Sequence, residues 1–510
     1  MGTGSHPTLS GYAPFGMRAW AVQTALVVLG ALALPAPALA QIPSVPLLPI
    51  PSDPLAPEGD PFTGRVAEPR AVGAPRVPRH PFMAPNGRSN LHNDAYMTDV
   101  YRNLEGPLGT RTATDSTLFT RECASVTFDS DDRIETICVG LDRPVLALLD
   151  PRTLEVLASL DLPPRQPGGE PFSDFSGGGY FYLDNRDRAV VPTTTRHVLV
   201  VAQTGGPGFS VVRDLDLSGA VPTDDHIISV LPDWDGRIWF ATRDGRVGWV
   251  STESGRIASR ALGEPIGNSF AVDETGGMYI VTDAALYRFE AKRGKPKTIW
   301  RRSYQNIGTR KPGQTQAGSG TTPTLMGRKY VAITDNADPM NVLVLKRHPG
   351  AGGRRVVCRE PVFEPGASAT DQSLIGTRRS IVVENNHGYT GPGSTTNGAT
   401  TSPGLERVAV DRDGRGCRTV WHSDEIAPSV VPKLAAGSGL VFTYTKPRGA
   451  SRDDAWYLTA IDYRTGETVY RRLAGVGLGY NNNFAPVTIG PDETAYVGVL
   501  GGITQFRDGG

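Results

Sequence analysis

Three short segments carry most of the chemistry in this sequence: Thr334–Pro339 (TDNADP), Glu384–Tyr389 (ENNHGY) and Tyr480–Phe484 (YNNNF). Amide and carboxylate oxygens at this density suit a hard cation such as Ca²⁺, which takes about 6–8 oxygens in flexible geometry. His387 in the second segment, and His226 behind Asp224-Asp225, add the side chain that exchanges protons near neutral pH. The same residue types also serve purely structural ends, because Asn and Asp tolerate turn conformations and cap local backbone.

The elements that must position these residues are read from Gly267–Tyr304. Four strand candidates fill its 38 residues: Ser269–Val272, Met278–Val281, Ala285–Phe289 and Lys297–Arg301. Each is rich in β-branched or aromatic residues, and turn formers separate them. Connections this short force an antiparallel meander, which cannot bury both faces alone. Recurrence of the unit therefore predicts an all-β fold, a single β-propeller of four-stranded antiparallel blades. Blades are expected near 123–162, 178–218, 226–263, 267–304, 320–363, 368–425, 429–475 and 483–508. The last shows three strands, so an N-terminal strand, near Ala95–Leu104, is expected to close it. Eight blades is the reading and seven the alternative, since the second and sixth units are irregular.

Strand order then assigns residues to faces. Connections between blades, and those between the second and third strands, emerge on one face. Asn268, Asp335, Asn336, Asp338, Asp371, Glu384, Asn385, Asn386, Asn482, His226 and His387 all fall there. Asp338, Asp371, Asn386 and Asn482 complete a polar rim able to hold a small ligand.

Lys+Arg and Asp+Glu both number 52, which argues against a nucleic-acid partner. Met17-Arg18, the apolar run Ala19–Leu34 and Ala38-Leu39-Ala40 read as a signal peptide over residues 1–40, with an uncleaved anchor as the alternative. No later run is long enough to span a bilayer. Residues 41–85 hold 12 prolines and read as an extended, disordered linker before a propeller domain at 86–510. Four cysteines in an exported chain imply two disulfides, with buried free thiols as the alternative. A hairpin about Asp129–Asp132 places Cys123 opposite Cys138, and Cys358 and Cys417 pair by elimination. The expected setting is secreted or periplasmic, and the expected state a monomer with a small-molecule or exported protein partner.

Several repeats resemble known families. APVTIGPDETAYVGVLGGITQFRD (485–508) is similar to repeats of the quinoprotein (PQQ)-type propellers, as are VLALLDPRTLEVLASLDL (145–162) and LTAIDYRTGETVYRRL (458–473). Gly267–Tyr304 also resembles repeats of the gluconolactonase and strictosidine-synthase-like propellers. The first resemblance implies a quinone-dependent oxidoreductase. The chain departs from it, having no adjacent cysteines and only seven irregularly placed tryptophans. The second implies a metal at the channel mouth, with Asn268, Asp335, Asn336, Glu384 and Asn385 as ligands and His387 or His226 as the base of a lactone or ester hydrolase. Three functions follow, in order: a binding propeller, a Ca²⁺-dependent lactonase or esterase, and a quinone-dependent enzyme.

Overall fold

The computed structural model describes Met1 and residues 48–165, 172–174, 176–206, 208–348 and 354–509. Apart from Met1, the expected signal peptide lies outside them. The chain forms an eight-bladed β-propeller of four-stranded antiparallel blades. The first blade runs Glu122–Phe128, Ile134–Val139, Val145–Leu149 and Val156–Asp161 from the channel outward. The others occupy 182–216, 227–261, 271–303, 324–361, 375–423, 433–476 and 487–507. Gly277–Val281 is buried throughout, because both faces of a blade are covered by neighbours, whereas the outermost Phe209–Asp216 is largely exposed.

An N-terminal strand closes the ring as expected, but it is Ala113–Leu118, antiparallel to Gly502–Arg507, rather than Ala95–Leu104. The outer position of a blade is half-exposed, which suits ATDSTL; Tyr96 and Met97 are fully buried. Residues 88–101 instead plug the channel. Phe128, Leu183, Val272, Leu325, Gly376 and Leu434, from the innermost strands of six blades, and Ala436, just past the last of these, donate backbone N–H groups to the carbonyls of Arg88, Ser89, Ala95, Tyr96, Thr98, Asp99 and Tyr101. The acceptors follow the blades in order, so the plug winds once round the channel and pairs edges that would otherwise be open.

The expected disordered linker is also corrected. It is extended, as its prolines require, but its described part is pinned to the ring. Phe62–Gly64 adds an outer strand to the seventh blade, and Ala67, Arg70 and Val72 donate N–H groups to Leu108, Ser438 and Ala436. Gly64 has φ 107°, and a Cβ there would sit 2.3 Å from the Val469 carbonyl oxygen, so only glycine lets the strand lie this close.

Both disulfides form. Cys123 and Cys138 are directly opposed in the first hairpin, and Cys358–Cys417 joins the outer strands of the fifth and sixth blades.

Candidate functional site at the channel mouth

On the face carrying the connections between blades, a cavity of about 400 Å³ opens above the plug. Its walls come from segments that precede innermost strands: Glu122 at the start of the first blade, Tyr180 before the second, Asn268 before the fourth, Asp371–Ser373 before the sixth, and Asn483-Phe484 before the eighth. Val139–Leu141 and Leu500-Gly501 contribute from connections between second and third strands. Leu91 and His92 of the plug form its floor.

Two buried carboxyls face this cavity. Burial pushes Glu122 up to about 8, against a hydrogen bond from Asn483 Nδ2 at 3.3 Å and the charge of Arg165. Burial likewise raises Asp371 to about 7, although its Oδ2 accepts from the Thr315 N–H and hydroxyl; its Oδ1 has no partner. Near neutral pH Glu122 is mainly the protonated carboxyl, able to donate a hydrogen bond, and Asp371 is divided between its two forms.

The plug adds a second polar group. His92 Nδ1 lies 3.1 Å from Asp99 Oδ1, and Nε2 lies 3.4 Å from Ser373 Oγ. Lys433 Nζ, fully buried, donates to the Leu91 carbonyl and to Asp99. Burial holds His92 below its ordinary value despite the Asp99 carboxylate, so the ring is neutral. Tyr180 lies nearly parallel to that ring, with centroids 6.1 Å apart. Its hydroxyl donates to Asn268 Oδ1 at 2.7 Å.

The polar rim expected from sequence is dispersed by its own hydrogen bonds. Of Asn268, Asp335, Asn336, Glu384 and Asn385, only Asn268 borders the cavity, and its Nδ2 is committed to the Gly320 carbonyl. Asp335 accepts from the Ala337 and Asn341 N–H groups and from Asn341 Nδ2. Asn336 Nδ2 donates to Asn306 and Thr309. Asn385 bridges Ala369, His387, Ala367 and Pro403. Glu384 accepts from Asn386 Nδ2 and Thr443 Oγ1, and burial raises it well above its ordinary value, which disfavours the ionised form a cation needs. Asn386 Oδ1 accepts from Thr370 and Asp371, and Asn482 Nδ2 donates to Ala485.

Asp338 Oδ1 caps Gly366. His387 Nδ1 pairs with Ser402 Oγ at 3.1 Å, and burial and Lys311 lower its basicity. The His226 N–H bonds Asp225, and its Nδ1 is buried without a partner. Neither histidine borders the cavity. Among the described residues no three His, Cys, Asp or Glu side chains converge as a metal-binding group.

Sequence reasoning missed His92, Asp99, Ser373, Lys433 and Glu122. The one available signal was HNDAYMTD (92–99), a polar run too rich in Asn and Asp for a strand interior.

No family model matches the sequence. An uncharacterised protein of Archaeoglobus fulgidus is 31% identical over 320 residues, 56% of this chain. The chain spans 62% of that relative's length. Among solved structures, BamB from Moraxella catarrhalis is similar over 73% of this chain and 91% of its own, with 10% identity and a TM-score of 0.47. A streptogramin B lyase is similar over 78% of this chain and 97% of its own, with 10% identity and a TM-score of 0.39.

Proposed function

We propose that this chain is an extracytoplasmic binding propeller whose channel-mouth cavity takes one small molecule with an apolar body and hydrogen-bond acceptors. The carrying observation is where exposed apolar surface gathers. Leu141, Leu478 and Phe172, 78%, 50% and 41% exposed, all line this one cavity. Its volume falls within the range of about 300–1,000 Å³ usual for small-molecule sites, and an apolar rim around a concave site marks a binding surface. Glu122, mainly protonated near neutral pH, suits an acceptor oxygen on the ligand. The two disulfides support an oxidising compartment. The repeats' similarity to quinoprotein-type propellers supports no quinone, since the sequence lacks adjacent cysteines.

The test is a titration with 1-anilinonaphthalene-8-sulfonate, whose aromatic body matches the cavity and whose sulfonate complements the Arg121 and Arg165 that line it. One saturable site is expected. Leu141→Glu with Leu478→Glu should weaken it at least tenfold without lowering Tm, because both side chains stand largely in solvent. Binding unchanged in the double variant would overturn the proposal.

A further inference from the structure

We infer that the cavity floor is an acyl-transfer site for small esters, with Ser373 the nucleophile and His92 the general base. Asp99 is the residue that positions the imidazole. This rests on the cavity being the ligand site, and adds a reaction to it.

The order of atoms carries the argument. Asp99 Oδ1 stands 3.1 Å from His92 Nδ1, and His92 Nε2 stands 3.4 Å from Ser373 Oγ. A carboxylate on Nδ1 fixes the proton there and leaves the Nε2 lone pair for the hydroxyl, the relation a serine nucleophile requires. Both Ser373 and His92 border the cavity, so the hydroxyl is within reach of a bound molecule. Ser373 comes from a blade 281 residues beyond the plug that carries His92 and Asp99, and the histidine is held from several sides. Its backbone N–H bonds Asn90 Oδ1, its carbonyl accepts from the Asp99 N–H, and Tyr180 lies along its ring. Asn93, Met97 and Asp99 all adopt positive φ (75°, 55° and 56°), a concentration of left-handed backbone in seven residues that costs stability. A plug needed only to fill a channel has no use for that strain or for a buried histidine.

In the reaction, Ser373 Oγ bonds to the ester carbonyl carbon as its proton passes to His92 Nε2. The carbon–alkoxy bond breaks, and the alcohol leaves with that proton. Water then adds to the acyl group, giving its proton to Nε2. The carboxylic acid departs as Ser373 Oγ recovers a proton from the imidazole.

The full chain is treated with an alkyl fluorophosphonate and digested for mass spectrometry, and assayed with p-nitrophenyl butyrate. An adduct on the Ser373 peptide is expected, absent in Ser373→Ala and slowed at least a hundredfold in His92→Gln, with sulfonate-probe binding kept by both. Asp99→Asn should lower kcat for the butyrate ester at least a hundredfold and leave KM unchanged, with Asp99→Glu recovering part of it. Ser373→Cys gives a readout independent of the histidine variant's folding. Its thiol should be alkylated by iodoacetamide at pH 6, where an unassisted thiol of pKa about 8.5 is nearly inert. A wild-type protein that binds the sulfonate probe but forms no adduct at Ser373 overturns the reaction and leaves the cavity standing. Absence of both binding and adduct overturns both readings.

Discussion

Glu122 gives the most quantitative check on the electrostatics of the cavity. Its carboxyl titrates at about 8 in the fold, because burial outweighs the Asn483 hydrogen bond and the Arg165 charge. Unfolded, it would titrate near its ordinary value of 4.5. A group whose folded pKa is raised contributes stability below the unfolded pKa and loses it as pH rises toward the folded one. Each pH unit inside that window is worth about 1.4 kcal/mol per proton. Allowing for partial titration at both ends, the loss between pH 5 and pH 8 is about 3–4 kcal/mol from this residue. Glu122→Gln keeps an oxygen for Asn483 Nδ2 and removes the titration. Urea unfolding of both proteins at pH 5, 6, 7 and 8 isolates the effect, since every other group cancels in the difference. The variant should gain on wild type by about 3–4 kcal/mol over that range. A difference flat within about 0.5 kcal/mol would mean that Arg165 holds Glu122 ionised, and the reasoning from burial would be refuted.

Two further perturbations address the plug and the disulfides. Lys433→Met strips the cation from a fully buried Asp99, which should cost about 3–5 kcal/mol in urea unfolding, and adding Asp99→Asn should recover most of it. A double variant no more stable than the single one would show that Lys433 is not compensating that charge. The Cys358–Cys417 bridge closes a separation of 59 residues and Cys123–Cys138 one of 15. In the chain-entropy model, replacing each pair by serine should therefore lower stability by about 4 and about 3 kcal/mol respectively. A larger loss from the shorter loop would count against an entropic origin.

The ring was legible in the sequence because blade periodicity is local. Gly267–Tyr304 shows its four strands through residues that touch within the hairpin, and the opposition of Cys123 to Cys138 follows from counting along one turn. The face that bears the cavity was legible for the same reason, since strand order alone fixes it. The plug was not. Residues 92–99 form no regular element, and the carbonyls of Ala95, Tyr96, Thr98 and Asp99 accept from strands of four different blades, up to hundreds of residues away. Asp335 and Asn385 misled because a turn-building Asp and a ligand Asp look identical in sequence. Only the committed partners, Asn341 for one and Ala367 and Pro403 for the other, tell them apart.

The composition of the plug is the feature hardest to explain by packing alone. A propeller channel can be filled by apolar side chains, and this one partly is, by Tyr96, Met97 and Tyr101. Tyr96 and Met97 pack into the apolar core of the second to fifth blades, and Tyr101 into that of the sixth to eighth. His92, Asp99 and Lys433 are equally buried, yet replacing such a charged cluster with apolar residues of similar volume is often neutral or stabilising. Stability therefore gives no reason for the cluster, and neither does chain geometry, because three of the seven backbone positions nearby are in the left-handed region. The cluster opens toward the cavity through His92 and Ser373. A polar group that costs the fold energy and meets open space through an imidazole and a hydroxyl is placed for what enters that space.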